Sequence, residues 1–278
     1  MSQQELRTIS LPELSTVIKW AEGEGWNPGI HDAEAFLAAD PDGFFGGFVN
    51  GELVASISAV RYQNDFAFIG LYIVLPGFRG KRLTKNLVDK ALDITQGIVT
   101  GIDGVVAMQQ SYSNYGFRIA HRNIRFEGLI PEISDIRDAC IEIKTSGDLR
   151  ELDLENFGVA RNEFLESWVK QNNAFTLMVD EGKGKRGYTT VRKCANGYKI
   201  APLFADSADV AMQLLAGIRN RLGGNAQVFI DVPEPNQEAT RIVKSLNMTP
   251  VFETARMYRG KWELPLNKVF GITSFELG

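Results

Sequence analysis

Histidine and cysteine are scarce in this chain, with two of each among 278 residues. Cys140 and Cys194 are far apart and follow none of the paired spacings that hold zinc or run thiol–disulfide exchange. No metal is expected, and neither a disulfide framework nor a redox motif organises the fold. His121 sits on an expected strand beside Arg122 and Arg125, and nothing supplies a second and third metal ligand. Long apolar runs are missing too, since no stretch approaches the ~20 residues that a membrane helix needs. The opening MSQQELRTISLPEL has neither a basic n-region nor an apolar core, which speaks against a secretory signal. Charge of one sign is also lacking. A formal net charge of −4 and a pI near 5.4 make a nucleic-acid backbone a poor partner, while leaving room for a small anionic cofactor on a local basic patch. The expectation is a soluble protein of a reducing compartment, the cytoplasm.

What is present is the composition of a globular protein, 44% hydrophobic and 23% charged. At roughly 100–200 residues per domain, the length allows one large domain or two ordinary ones. Residues 1–135 alternate cleanly. LRTISL (6–11) reads as a strand, and Pro12 suits the first turn of the helix bearing Leu14, Val17, Ile18 and Ala21. That helix stops at the loop EGEGWNPG (22–29), and a short helix covers 31–39. Strands 44–49 and 52–62 are joined by Asn50-Gly51, the strongest short hairpin signal. A strand at 66–75, a helix carrying Leu83, Leu87, Val88, Ala91 and Leu92, and a strand at 104–109 follow. A helical turn at 112–117 and a strand at 118–129 complete this half. Residues 130–158 read as a connector with a strand-like centre at 140–143.

Residues 136–278 echo that order: a helix at 159–171, strands at 174–179, 187–193 and 198–205, a helix at 208–222, a strand at 226–232, a helix at 236–246 and a strand at 252–260. The fold class expected is α/β (α+β), with two domains that are each a mixed, mostly antiparallel sheet flanked by helices.

Between the strand ending at Leu75 and the helix of Leu83 and Leu87 lies a loop with three cations, Arg79, Lys81 and Arg82. The first amides of a helix have no partner inside it and attract anions, so this loop can hold phosphate. The bland alternative is a basic helix start on a solvated face. EGKGKRG (181–187) has similar glycines and cations but joins two strands with no helix after it, and reads as a hairpin tip.

The loop carries a family resemblance. Pro76-Gly77-Phe78-Arg79-Gly80-Lys81 matches the first six positions of the CoA pyrophosphate loop of the GNAT superfamily of acyl-CoA-dependent N-acyltransferases. Arg82 and Thr84 stand where that family has glycine and glycine or alanine. Tyr112-Ser113-Asn114-Tyr115-Gly116-Phe117 resembles the family's tyrosine, three residues, then Gly-Phe. The second half looks like a degenerate copy. It keeps Asn236-x-x-Ala239, but Pro202–Ser207 retains neither the arginine nor the glycines, and Val243 replaces the tyrosine. EGWNPG and RMYRG make the chain similar to two-domain members of the superfamily.

The resemblance implies acetyl-CoA as donor and a primary amine on a small molecule or peptide as acceptor. It implies that Arg79, Gly80, Lys81, Arg82, Leu83 and Thr84 hold the cofactor. A backbone amide near Ile73 or Val74 would bind the thioester carbonyl, and Tyr112 would protonate the departing thiolate. The loop 22–29 falls where relatives place the acceptor, so Glu24, or Glu22, is a candidate base acting through water; solvated helix-end carboxylates are the plainer alternative. Other readings stay open: a CoA-binding module without turnover, or an interaction protein built on barren folds.

Overall fold

The fold comes from a computed structural model that describes residues 3–63, 65–133, 136, 140–180, 182 and 184–278. Elements in chain order are β1 (Gln4–Thr8), α1 (Leu11–Gly23), α2 (Asp32–Ala39), β2 (Phe44–Val49), β3 (Glu52–Tyr62), β4 (Phe66–Val74), α3 (Arg82–Ile94), β5 (Val99–Val105), α4 (Gln109–Asn114) and β6 (Arg118–Leu129). The second half continues with β7 (Cys140–Ile143), α5 (Arg150–Phe157), α6 (Asn162–Val169), β8 (Ala174–Asp180), β9 (Lys185–Lys193), β10 (Tyr198–Ala205), α7 (Ala208–Leu222), β11 (Gln227–Pro233), α8 (Gln237–Ser245), β12 (Thr249–Arg259) and β13 (Val269–Gly271). Glu181 and Lys183 of the hairpin tip lie outside the described residues. Among those described, no helix is long and apolar enough to cross a membrane.

Local chemistry explains the elements that the sequence announces. Ser10 and Glu13 cap α1, the Ser10 amide donating to Glu13 Oε2 at 2.8 Å. Asn50 and Gly51 take φ of +52° and +84°, as the two-residue hairpin turn requires. The expected helix at 159–171 is α6, and the expected connector at 130–158 contains a further helix, α5, ended by a left-handed Gly158. The buried face of α5 includes Asp153 and Asn156 beside Leu152 and Phe157, so no apolar period marks it in the sequence.

All thirteen strands among the described residues join one sheet, in the order β1-β2-β3-β4-β5-β12-β6-β11-β10-β9-β8-β7, with β13 beside β10. The two halves interleave. β12 lies antiparallel between β5 and β6, and β6 pairs on its other side with β11. Helices bury their apolar stripes on this sheet: α3 through Leu83, Leu87 and Ala91, and α7 through Val210, Leu214 and Ile218. A further core, containing Phe36, Phe66, Phe157, Phe164 and Trp168, draws on α1 and α2 from one half and α5 and α6 from the other.

Two places in the sheet decide where a ligand can enter. β4 and β5 run parallel and pair only from Phe66–Val99 to Ile69–Ile102, so their C-terminal ends diverge. A bulge assists the divergence. The pairing of β4 with β3 shifts between Ser56 and Ser58, Leu71 takes φ +46°, and Ser56 Oγ donates to the Leu71 carbonyl at 2.8 Å. The corresponding parallel pair in the second half, β10 and β11, also parts after Ile200–Ile230. There β13 fills the gap by pairing with Leu203 and Phe204, and the Ile272 amide donates to Asp231 O at 2.9 Å.

Candidate active site

The gap between β4 and β5 opens a cleft of about 470 Å³. Ile73, Val74, Arg79 and Gly80 line one side, and Tyr112 and Tyr115 line the other. At the helix end of the cleft, the amides of Arg79, Gly80, Lys81, Arg82 and Leu83 have no hydrogen-bond partner within the protein among the described residues. Gly80 has φ +71°, and a Cβ placed on it would meet no atom within 4 Å, so the loop leaves space above its backbone. Lys81 is the N-cap of α3 and its side chain makes no capping bond. The result is a set of free amides at the positive end of a 13-residue helix. The α7 start in the second half differs: Ser207 Oγ accepts from the Val210 amide at 3.4 Å, so a side chain caps one amide of that end.

Arg82 and Thr84, which replace glycines of the motif, do not obstruct the loop. Arg82 is the first helical residue and is exposed. Thr84 is buried and its Oγ1 donates to the Lys81 carbonyl at 2.6 Å. Leu83 points into the core. Arg79 is oriented by its own loop: its Nε donates to Val74 O at 3.1 Å, and its Nη2 lies 3.4 Å from Glu24 Oε1. Lys81 Nζ stands 4.7 Å over the Phe78 ring.

Tyr112, on α4, packs its ring against Gly104; a Cβ there would lie 2.4 Å from the ring. Burial raises its hydroxyl pKa, opposed by a hydrogen bond from the Val105 backbone. Tyr72 raises it a little further and is itself raised by burial, so a phenol pair marks the middle of the cleft. The sequence reading missed Tyr72 and Tyr115, although Tyr115 lies inside the quoted motif and Tyr72 occupies an exposed position on β4.

Beyond Tyr112 a second chamber of about 100 Å³ opens, sharing Trp26, Ile69, Tyr72 and Tyr112 with the cleft. Its far wall comes from the second half: Phe252 and Thr254 of β12, and Phe275 and Glu276 of the C-terminal segment. Two buried cations fix the loop bearing Trp26, whose carbonyl accepts from Arg125 Nη1 at 2.6 Å and Lys199 Nζ at 3.3 Å. Arg125 is paired in turn with Asp231 at 2.6 and 2.8 Å. Asn27 and Asn196 exchange hydrogen bonds of 3.0 and 3.2 Å, which dock the same loop on the second half.

Three carboxylates reach these spaces, and their surroundings differ. Glu24 lies at the cleft mouth with its side chain 46% exposed, beside Arg79. Asp103 accepts four hydrogen bonds, from Asn123, Thr254 and twice from Arg256, between 2.6 and 3.2 Å. Glu276 is 2% exposed and its Oε1 has no partner. Glu22 is exposed and lines neither space. His121 is driven down to about 3, first by burial and then by Arg256, and stays neutral.

Comparisons agree with this geometry. Residues 149–271 match the family model described as an acetyltransferase (GNAT) domain, and residues 7–114 match that of the acetyltransferase (GNAT) family. The chain is 30% identical over 275 residues to holothin acyltransferase of Pseudoalteromonas sp. (strain SANK 73390), covering 98% of this chain and 94% of that one. A candidate acetyltransferase of Pyrococcus horikoshii has the same fold, with a TM-score of 0.83 at 23% identity over 99% and 96% of the two chains. A tandem GNAT protein from the clavulanic acid biosynthesis pathway overlays with a TM-score of 0.64 at 12% identity, covering 94% of this chain and 100% of that one. The chain therefore belongs to the GNAT family of acyltransferases and is an enzyme with two GNAT domains in tandem.

Proposed function

We propose that this enzyme moves an acetyl group from acetyl-CoA directly to a primary amine on a small molecule. The observation that carries the reading is the position of Tyr112, where the β4–β5 cleft meets the chamber behind it. The free amides of 79–83, with Arg79, Lys81 and Arg82, hold the pyrophosphate, and the pantetheine arm runs along Ile73 and Val74. A backbone amide near Ile73 or Val74 binds the thioester carbonyl as its oxygen gains charge. The amine attacks from the chamber, the carbon–nitrogen bond forms as the carbon–sulfur bond breaks, and the Tyr112 hydroxyl gives its proton to sulfur. Glu24, a candidate base in the sequence, stands at the cleft mouth beside Arg79 and outside the chamber. Holding both reactants in adjoining spaces supplies proximity, and no covalent enzyme intermediate is used.

In this reading residues 1–135 carry the cofactor and residues 136–278 have no cofactor site of their own. β13 in the β10–β11 gap and the self-capped α7 support that division. The small, mostly apolar chamber favours a small acceptor over a peptide, and a relative named for acyl transfer supports the reaction class. Two cysteines in 278 residues fit a reducing compartment, the cytoplasm.

Calorimetric titration of the intact protein with acetyl-CoA tests the reading. Micromolar binding that weakens with Arg79→Ala is expected; no binding at millimolar acetyl-CoA overturns it.

A further inference from the structure

We infer that Glu276, delivered by the C-terminal segment, is the carboxylate that receives the acceptor amine and takes its proton, and that the acceptor is a compact, largely apolar amine. This rests on the acyltransfer reading above. Buried carboxylates are almost always paired, because an uncompensated charge away from water is costly. Asp103, Asp153 and Asp231 obey that rule here, each in a close ion pair with an arginine. Glu276 does not. It forms no ion pair among the described residues, its buried Oε1 has no hydrogen bond, and the residue lines the same chamber as Tyr112. The chamber walls are Trp26, Ile69, Ile102, Phe252 and Phe275, which suit a flat apolar body with one amino group at its end.

The chain goes to some length to put this residue there. β13 holds the start of the segment on β10, and the Ile272 amide donates to Asp231 O. The Leu277 amide donates to Ser274 Oγ at 2.9 Å, and Tyr62 Oη donates to Leu277 O at 3.0 Å. Gly70 permits the approach, since a Cβ on it would lie 2.2 Å from the Glu276 carbonyl oxygen. The charged groups around the carboxylate are Lys199 on β10 and Arg125 on β6, which favour its ionised form, and Asp32 on α2 and Asp231 on β11, which oppose it. Burial outweighs them and raises its pKa, bringing a glutamate closer to the range in which it both accepts and releases a proton.

The step balances as follows. An ammonium entering the chamber gives one proton to Glu276 and attacks as the neutral amine. The nitrogen sheds its second proton as the amide forms, and that proton restores Tyr112 after its own has gone to the thiolate. Glu276 returns its proton to solvent on product release.

The test uses the intact protein, acetyl-CoA and four probe amines: benzylamine, 2-phenylethylamine, tryptamine and, as a charged contrast, spermidine. Parent enzyme is expected to acetylate at least one aromatic amine faster than spermidine. Glu276→Gln should bind acetyl-CoA as the parent does, while kcat/KM falls about 10²-fold and the acidic limb of its pH profile disappears; Glu24→Gln should fall less and keep that limb. A Glu276→Gln enzyme with parental rate and pH profile overturns the assignment and leaves the acyltransfer reading standing. Acetyl-CoA binding without turnover of any aromatic amine overturns the acceptor class and the role of Glu276 with it. Failure of the parent to bind acetyl-CoA instead overturns the acyltransfer reading itself. If Glu276→Gln does not fold, Glu276→Asp replaces it: a reduced rate with a displaced acidic limb is expected, and a parental profile overturns the assignment.

Discussion

At the scale of single residues, Tyr112 and Arg79 make separable predictions. Tyr112→Phe removes one hydroxyl and keeps the ring that packs on Gly104. It should lower kcat about 10²-fold with no change in acetyl-CoA affinity, as stopped-assay rates and calorimetry would check. Arg79→Ala removes a charged donor aimed along the cleft and should weaken acetyl-CoA binding about 10-fold with little effect on saturated turnover. Glu276 adds a prediction about stability. Its folded-state pKa is raised, so the folded protein holds that proton more tightly than the unfolded chain does. The stabilisation is complete below the ordinary carboxylate value and is lost as pH rises through the raised one. Glu276→Gln should therefore be at least as stable as the parent in urea at pH 7, and any advantage should vanish near pH 4. A variant clearly less stable at pH 7 would mean the ionised carboxylate supports the fold. Tyr112 was legible in the sequence through its spacing to Gly116-Phe117. Glu276 was not, because nothing local distinguishes a buried glutamate near a chain end from a solvated one.

At the scale of elements, the phosphate loop shows why two missing glycines need not matter. Arg82 begins α3 with its side chain outside, and Thr84 turns inward to bond Lys81 O, so the amides stay free. Most strands and the main helices were legible because Asn-Gly turns, apolar runs and helical spacing are local signals, although the strand expected at 104–109 lies at Val99–Val105 and β13 was not expected. Helix α5 was missed because its core-facing Asp153 is held by Arg161 at 2.7 and 2.8 Å, a contact that leaves no apolar period. The C-terminal segment carries no local signal for a similar reason: its polar Thr273, Ser274 and Glu276 are all buried. Its seating on β4 gives an element-scale prediction. Gly70→Ala forces a methyl against the Glu276 backbone, so the segment must shift. Stability should fall by about 1–3 kcal/mol in urea unfolding. Amine acetylation should drop while acetyl-CoA binding persists, because Gly70 and Glu276 line the chamber, whereas Arg79 and Gly80 of the pyrophosphate loop line only the cleft. Equal loss of both would show that the segment and the cofactor cleft are not separate elements.

At the scale of the whole molecule, the division at residues 135 and 136 that the sequence suggests does not describe how the sheet is paired. β12 lies between β5 and β6, and β6 reaches β11, so hydrogen bonds of either half are completed by the other. No local pattern could announce this, since partners such as Met257 and Ile102 meet only through the tertiary fold. A fragment of residues 1–135 would leave one edge of β5 and both edges of β6 without partners, and would expose Phe126 and Phe117, which are buried in the intact chain. Unpaired strands with apolar faces aggregate rather than fold. The intact protein should therefore unfold in a single calorimetric transition, and the 1–135 fragment should show none and should bind no acetyl-CoA. Co-expression with the 136–278 fragment should recover a soluble complex that binds acetyl-CoA like the whole chain. A 1–135 fragment that melts cooperatively and binds acetyl-CoA by itself would mean that the exchange of β6 and β12 is incidental to the cofactor site. The absence of such a domain would instead explain why the two halves stay together: the second supplies strand β12, the surface on which the Trp26 loop docks and a carboxylate lining the chamber.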